Sequence, residues 1–220
     1  MPGATLTDEL EVLHSGGPGG GTPGSAGGGG NAGGRRPSPR GAASRIYYTG
    51  ISLALAAIVM FFMALVSALI VRKGQGGDWR PISLPQIVWI NTLVLVASSI
   101  TLEASRRAYD REDATSFRLL WGATTVLGLA FLAGQYIAWR QLAAAGVYMA
   151  SNPSSSFFYL LTAAHAAHLV GGLAALFYVL ARGWMHLRRN NGIAASVTGV
   201  YWHFMDGLWV FLLLVLQMGR

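Results

Sequence analysis

Five apolar stretches, each close to the ~20 residues that cross the hydrocarbon core of a bilayer, take up most of the chain: 46–71, 84–104, 117–139, 156–180 and 197–218. Charge and turn residues separate them. The breaks fall at Arg72-Lys73-Gly74, at Arg106-Arg107 through Asp113, at Ser151-Asn152-Pro153, and at Arg182 through Gly192. The pattern predicts an all-α, polytopic membrane protein. Its membrane domain is a five-transmembrane-helix bundle over residues 46–220, preceded by a tail of different character over residues 1–45.

That tail lacks the apolar groups a core needs. Residues 16–41 hold 13 Gly and 4 Pro, too little burial to offset chain entropy, and are expected to be disordered. Ahead of them Leu6, Leu10 and Leu13 fall on one side of a short helical turn, either a docking element or a transient helix, and isolated helices this short favour the second. No basic segment followed by an apolar run opens the chain, so no signal peptide is expected.

Composition agrees with the pattern. Of 220 residues, 53% are hydrophobic and only 11% charged, against about 25% charged in ordinary soluble domains. The absence of Cys excludes a disulfide scaffold, a Cys zinc site, an iron–sulfur cluster and covalent haem attachment through Cys-x-x-Cys-His. The excess of basic residues sits near the ends of apolar runs, which favours membrane topology over nucleic acid. Five spans put the termini on opposite sides. Arg35, Arg36, Arg40 and Arg45, then Arg106, Arg107, Arg111 and Arg118, then Arg182, Arg188 and Arg189 share one side, against Arg72, Lys73, Arg80, Arg140 and Arg220 on the other. The positive-inside rule then places the N-terminus in the cytoplasm and the C-terminus outside.

Ionisable groups within a bilayer are costly and need a reason. The fourth span carries His165 and His168, the fifth His203 and Asp206 within Tyr-Trp-His-Phe-Met-Asp-Gly-Leu-Trp at 201–209. Each pair is spaced i, i+3 and shares a helix face. A rise of about 1.5 Å per residue puts His168 about 18 Å deep, Asp206 about 14 Å, His203 about 9 Å and His165 about 22 Å. His168 and Asp206 are therefore within reach in depth as a candidate interhelical pair, with His203 the alternative partner for Asp206. Three uses are open: a metal or haem site, a proton relay, or a hydrogen-bonded lock between helices. Three His and one carboxylate are few for redox chemistry, which points to the lock.

Ala163, Ala167, Gly171 and Ala175 recur every fourth residue, a stripe that would let another helix approach closely; Ala164, His168 and Gly172 line the adjacent row. Asn91-Thr92 and Ser98-Ser99-Ile100-Thr101 in the second span suit helix-to-helix hydrogen bonds. Gln135 could meet headgroups or a neighbouring subunit. Trp79, Trp139, Trp184 and Tyr201 fall near span ends, where interfacial aromatics belong.

The segment from Thr162 to Gly171, with His-x-x-His followed by glycine, together with the 201–209 motif that includes Trp202, resembles subunit III of the haem–copper oxidases. Asn91-Thr92 and Ser98 to Thr101 resemble the corresponding helix of that family. The likeness covers about residues 46–218 and matches the short five-helix bacterial form. It implies an accessory subunit of a proton-pumping cytochrome c oxidase in the aerobic respiratory chain, in the bacterial cytoplasmic membrane. Such a subunit carries no haem and no copper, which reside in partner subunits. It packs on subunit I beside subunit II and binds phospholipid. A quinol oxidase subunit III and the related accessory protein of a nitric oxide reductase are the alternatives. Two positions depart from the family pattern: Ile58 and Ala138 stand where carboxylates are usual, which removes groups a proton-linked role would use.

Overall fold

The computed structural model describes residues 39–75, 77, 85–185 and 192–218. They form five helices: α1 (Pro39–Gln75), α2 (Ile87–Asp110), α3 (Ala114–Ala144), α4 (Pro153–Met185) and α5 (Gly192–Met218). All five are long and apolar enough to cross a membrane, and no strand occurs among the described residues. The chain is thus a multi-pass, all-α membrane protein. Apart from residues 39–41, which are helical rather than disordered, the Gly-rich segment and the Leu6, Leu10, Leu13 face lie outside the described residues.

Every helix passes its apolar stretch at one end at least, because backbone hydrogen bonding continues where the hydrocarbon ends, although α2 starts inside its stretch, at Ile87 rather than 84. The expected break at Arg106-Arg107 is instead the last turns of α2. Both arginines reach back to Glu103, Arg107 Nε at 3.3 Å and Arg106 at 3.7 Å, the i, i+3 and i, i+4 spacings that support a helix. The helix stops only at 110, before a turn in which Glu112 takes φ 59°. Asp113 then caps α3, accepting from the backbone N–H of Thr115 and Ser116 at 3.1 Å each. The end of α3 follows the Schellman pattern: Gly146 has φ +78°, and Val147 N–H donates to the Leu142 carbonyl at 3.0 Å, satisfying a terminal carbonyl. At the start of α4, Asn152 and Ser155 cap each other, with Ser155 N–H donating to Asn152 Oδ1 at 3.0 Å and Asn152 N–H to Ser155 Oγ at 3.2 Å.

The helices α2, α3, α4 and α5 close a ring, each packing on its two neighbours, while α1 lies outside it against α4 and α5 only. Chain neighbours α1 and α2 are thereby separated, with α5 between them. Parallel α1 and α5 are joined near both ends, by Tyr48 Oη to Ser196 Oγ at 2.9 Å and by Lys73 Nζ to the Met218 carbonyl at 3.0 Å. The ring interior holds Trp121, Phe131, Leu161, Leu169, Trp202, Met205 and Trp209, all essentially inaccessible. Its outside is equally apolar, as at Leu53, Met60, Leu93 and Leu119. A helix apolar on every side suits a lipid surround.

Candidate functional site

The polar residues of the last two spans lie where depth predicts but not in the direction it suggests. Gly172 packs on Trp202, and the His165 ring lies 5.2 Å from that of Trp209. Carried along the antiparallel pair, this register sets His168 level with Asp206. Their side chains nevertheless turn apart. The His168 imidazole faces α1, its ring 5.5 Å from Phe62 and 6.0 Å from Phe61, and its Nδ1 lies 2.7 Å from the carbonyl of Ala164. His203 and Asp206 instead face α2. There His203 Nδ1 lies 2.6 Å from Ser99 Oγ. The expected His168–Asp206 hydrogen bond is absent because α5 separates α1 from α2. Two helix directions, not depth, divide the pair.

Asp206 is 8% exposed, and neither carboxylate oxygen meets hydrogen-bond geometry with any described residue. Ser99 lines the same groove as that carboxylate. His165 is fully buried, with both ring nitrogens without a hydrogen-bond partner among the described residues. It sits in an aromatic cage with Phe131, 6.1 Å away, and Trp209. Asn91 is buried against Gly134, where an added methyl group would overlap its side chain. Gln135, expected at headgroups or a neighbouring subunit, is instead buried in the ring. Among the described residues no group of three or more His, Cys, Asp or Glu could hold a metal ion. The imidazoles point in three directions, so this donor set does not fit a metal or haem.

Indole N–H groups make the cross-helix bonds that the His motifs first suggested. Trp202 Nε1 donates to Ser98 Oγ at 2.8 Å and Trp209 Nε1 to Thr92 Oγ1 at 3.1 Å, joining α5 to α2. Trp121 Nε1 donates to the Leu176 carbonyl at 3.0 Å and Trp139 Nε1 to Thr162 Oγ1 at 3.1 Å, joining α3 to α4. Hydroxyls of the second span serve as expected, with Thr101 Oγ1 also 2.9 Å from Thr124 Oγ1. A buried indole must find an acceptor, and this was the signal available in sequence for Trp121 and Trp209. Trp139 and Tyr201, expected as interfacial aromatics, turn inward. Tyr201 Oη donates to the His168 carbonyl at 2.9 Å. Trp79 and the side chain of Trp184 lie outside the described residues.

The small-residue stripe also shifts by one row. An added methyl at Gly172 would come 3.0 Å from Tyr201 and 3.2 Å from Trp202, so α5 packs on the Ala164, His168, Gly172 row. Ala163 and Ala175 are half-buried, while Ala167 and Gly171 stay exposed. At the two departures from the family pattern, Ile58 packs against the core and Ala138 is fully buried. Both positions are apolar contacts here.

Comparison with known proteins joins these features to one family. The profile for cytochrome c oxidase subunit III matches residues 42–219, which include all the described ring. A probable cytochrome c oxidase subunit 3 of Mycobacterium tuberculosis is 35% identical over 172 residues, covering 76% of this chain and 84% of that protein. The Mycobacterium leprae counterpart is 34% identical over 171 residues, with the same coverage. Cytochrome c oxidase subunit 3 of Synechocystis is 27% identical over 175 residues, covering 77% of this chain and 74% of that protein. With its profile match spanning the bundle from α1 to the end of α5, the chain belongs to the cytochrome c oxidase subunit III family.

Proposed function

We propose that this chain is the non-catalytic accessory subunit III of a proton-pumping cytochrome c oxidase in an aerobic respiratory chain. It packs on subunit I, contacts subunit II, and holds phospholipid on its apolar exterior. It lies in a bacterial cytoplasmic membrane with its N-terminus inside and its C-terminus outside. His165, His168, His203, Asp206, Asn91 and Trp202 serve helix packing in this reading, and haem and copper belong to the partner subunits.

The observation that carries the reading is the family match extending over a bundle whose polar groups face other helices of the same chain. Trp202 and Trp209 hold α5 to α2, and His168 is enclosed by α1 and α4. Such an interior suits a scaffold rather than a redox centre.

The test is purification of the tagged chain from its own membranes in mild detergent, with identification of the accompanying subunits and a haem spectrum. An equimolar haem-bearing subunit, with no Soret band on the chain once separated, is the expected result. A chain that purifies without any haem-bearing subunit, or that carries haem itself, overturns the proposal.

A further inference from the structure

One layer of the ring interior collects polar groups from three helices. The Trp139–Thr162 hydrogen bond sets the register of α3 against α4. One turn deeper into the bundle, that register brings Gln135 level with His165. Asn91 joins from α2, packed on Gly134 so closely that an added methyl group would overlap its amide. Gln135, His165 and Asn91 are 1%, 0% and 3% exposed. Phe131, one turn before Gln135 on the same face of α3, has its ring 6.1 Å from that of His165. Trp209 of α5 closes the fourth side, 4.9 Å from Phe131 and 5.2 Å from His165.

Five side-chain atoms of this layer have no hydrogen-bond partner among the described residues: Asn91 Nδ2, Gln135 Nε2 and Oε1, and both ring nitrogens of His165. The neighbouring polar groups are already engaged. Trp209 Nε1 donates to Thr92 Oγ1, whose own hydrogen goes to the Val88 carbonyl at 2.9 Å. Thr162 Oγ1 accepts from Trp139 and donates to the Phe158 carbonyl at 2.7 Å. Nor can the orphaned atoms satisfy one another. The amide groups and the imidazole carry more N–H than the Gln135 oxygen and one ring nitrogen can accept, and a charged imidazole would widen the deficit. Lipid tails hold no acceptor, so the need must be met inside the bundle.

We infer that this layer is a binding site for ordered water, held by Asn91, Gln135 and His165. Water both donates and accepts. It supplies oxygen acceptors for the surplus N–H groups and a donor for Gln135 Oε1 and for the unprotonated imidazole nitrogen. A buried water makes about three hydrogen bonds, so five orphaned atoms call for about two molecules. Phe131 and Trp209 form the apolar wall that confines them, and the water joins α2, α3 and α4 across the ring. All of its ligands come from this chain, so the site stands with or without a partner subunit.

The experiment is radiolytic footprinting of the chain purified in mild detergent with the subunits that accompany it. A brief X-ray pulse makes hydroxyl radicals from bound water, which oxidise the side chains beside it even where bulk solvent does not reach. Mass spectrometry then locates the oxidised residues. Relative to intrinsic reactivity, Trp209 and Phe131 should be oxidised several-fold faster than Trp121 and Trp202. Those two indoles are equally buried but bond directly to the Leu176 carbonyl and to Ser98. Gln135→Met, close in size but without the amide, should lower the Trp209 rate several-fold and leave Trp202 unchanged. Silence at all four aromatic residues means a dry layer and overturns the inference. Equal oxidation of all four means radicals that enter the bundle generally, and an unchanged Trp209 rate in Gln135→Met means water held elsewhere; either also overturns it. If Gln135→Met does not fold, the comparison of Trp209 with Trp202 in the wild-type chain still decides.

Discussion

Gly128 of α3 lies against the buried indole of Trp202 of α5, so close that an added methyl group would stand 2.7 Å from Trp202 Cη2 and 2.9 Å from Leu173 Cδ2. The contact spans the ring diagonal, between helices whose backbones are not neighbours. It is the point at which one missing side chain lets an aromatic fill the bundle centre.

Gly128→Ala should therefore overpack a site with rigid neighbours. Overpacking of a dense core costs about 1–3 kcal/mol. The measurement is thermal inactivation in detergent beside Gly122→Ala, where nothing lies within 4 Å of the new methyl. We expect a clear loss for the first and neutrality or a slight gain for the second; equal behaviour would show that α3 and α5 do not approach this way.

The Trp202–Ser98 hydrogen bond should register as coupling. Trp202→Phe and Ser98→Ala, alone and together, form a double-mutant cycle whose interaction energy should be about 0.5–1.5 kcal/mol. Additive losses in unfolding from mixed micelles would mean that the indole and hydroxyl do not pair.

His168 and Asp206 should be energetically independent. They share a depth but face α1 and α2 respectively, so His168→Leu with Asp206→Leu should show losses additive within about 0.5 kcal/mol. Ser99→Ala with His203→Leu should not be additive, given their 2.6 Å contact. Coupling between His168 and Asp206 would restore the pairing that span depth alone suggests.

Asp113 should give the start of α3 an acid-sensitive cap. Its hydrogen bonds, chiefly from Ser116 and then Thr115, hold its carboxyl below the usual carboxylate value. A lowered folded value means the stabilisation is complete above the unfolded value, about 3.9, and is lost as pH falls through the folded one. Protection of the Thr115 and Ser116 amides, taken as the exchange rate relative to the intrinsic rate at each pH, should thus be constant at neutral pH and fall in acid. In Asp113→Asn, which can still cap, the acid step should vanish; persistence of the step would assign it to another group.

The sequence by itself determined the helix count, the membrane setting and the family, because each rests on local information. Apolar runs of bilayer length need no tertiary knowledge, and the 201–209 motif is contiguous. Most helix ends lie a few residues outside the apolar stretches, the start of α2 excepted, since hydrogen bonding within a helix does not stop at the first charge, as Glu103 with Arg106 and Arg107 illustrates. Depth was also legible, because rise per residue is constant: His168 does lie level with Asp206. Direction was not. Which way a side chain points depends on where its helix sits among the others, and only the tertiary structure placed α5 between α1 and α2, turning His168 toward Phe62 and His203 toward Ser99. The same cause moved the packing row from Ala167 and Gly171 to Ala164 and Gly172. A stripe has many rotational settings on paper, and the bulk of Tyr201 and Trp202 selects one of them.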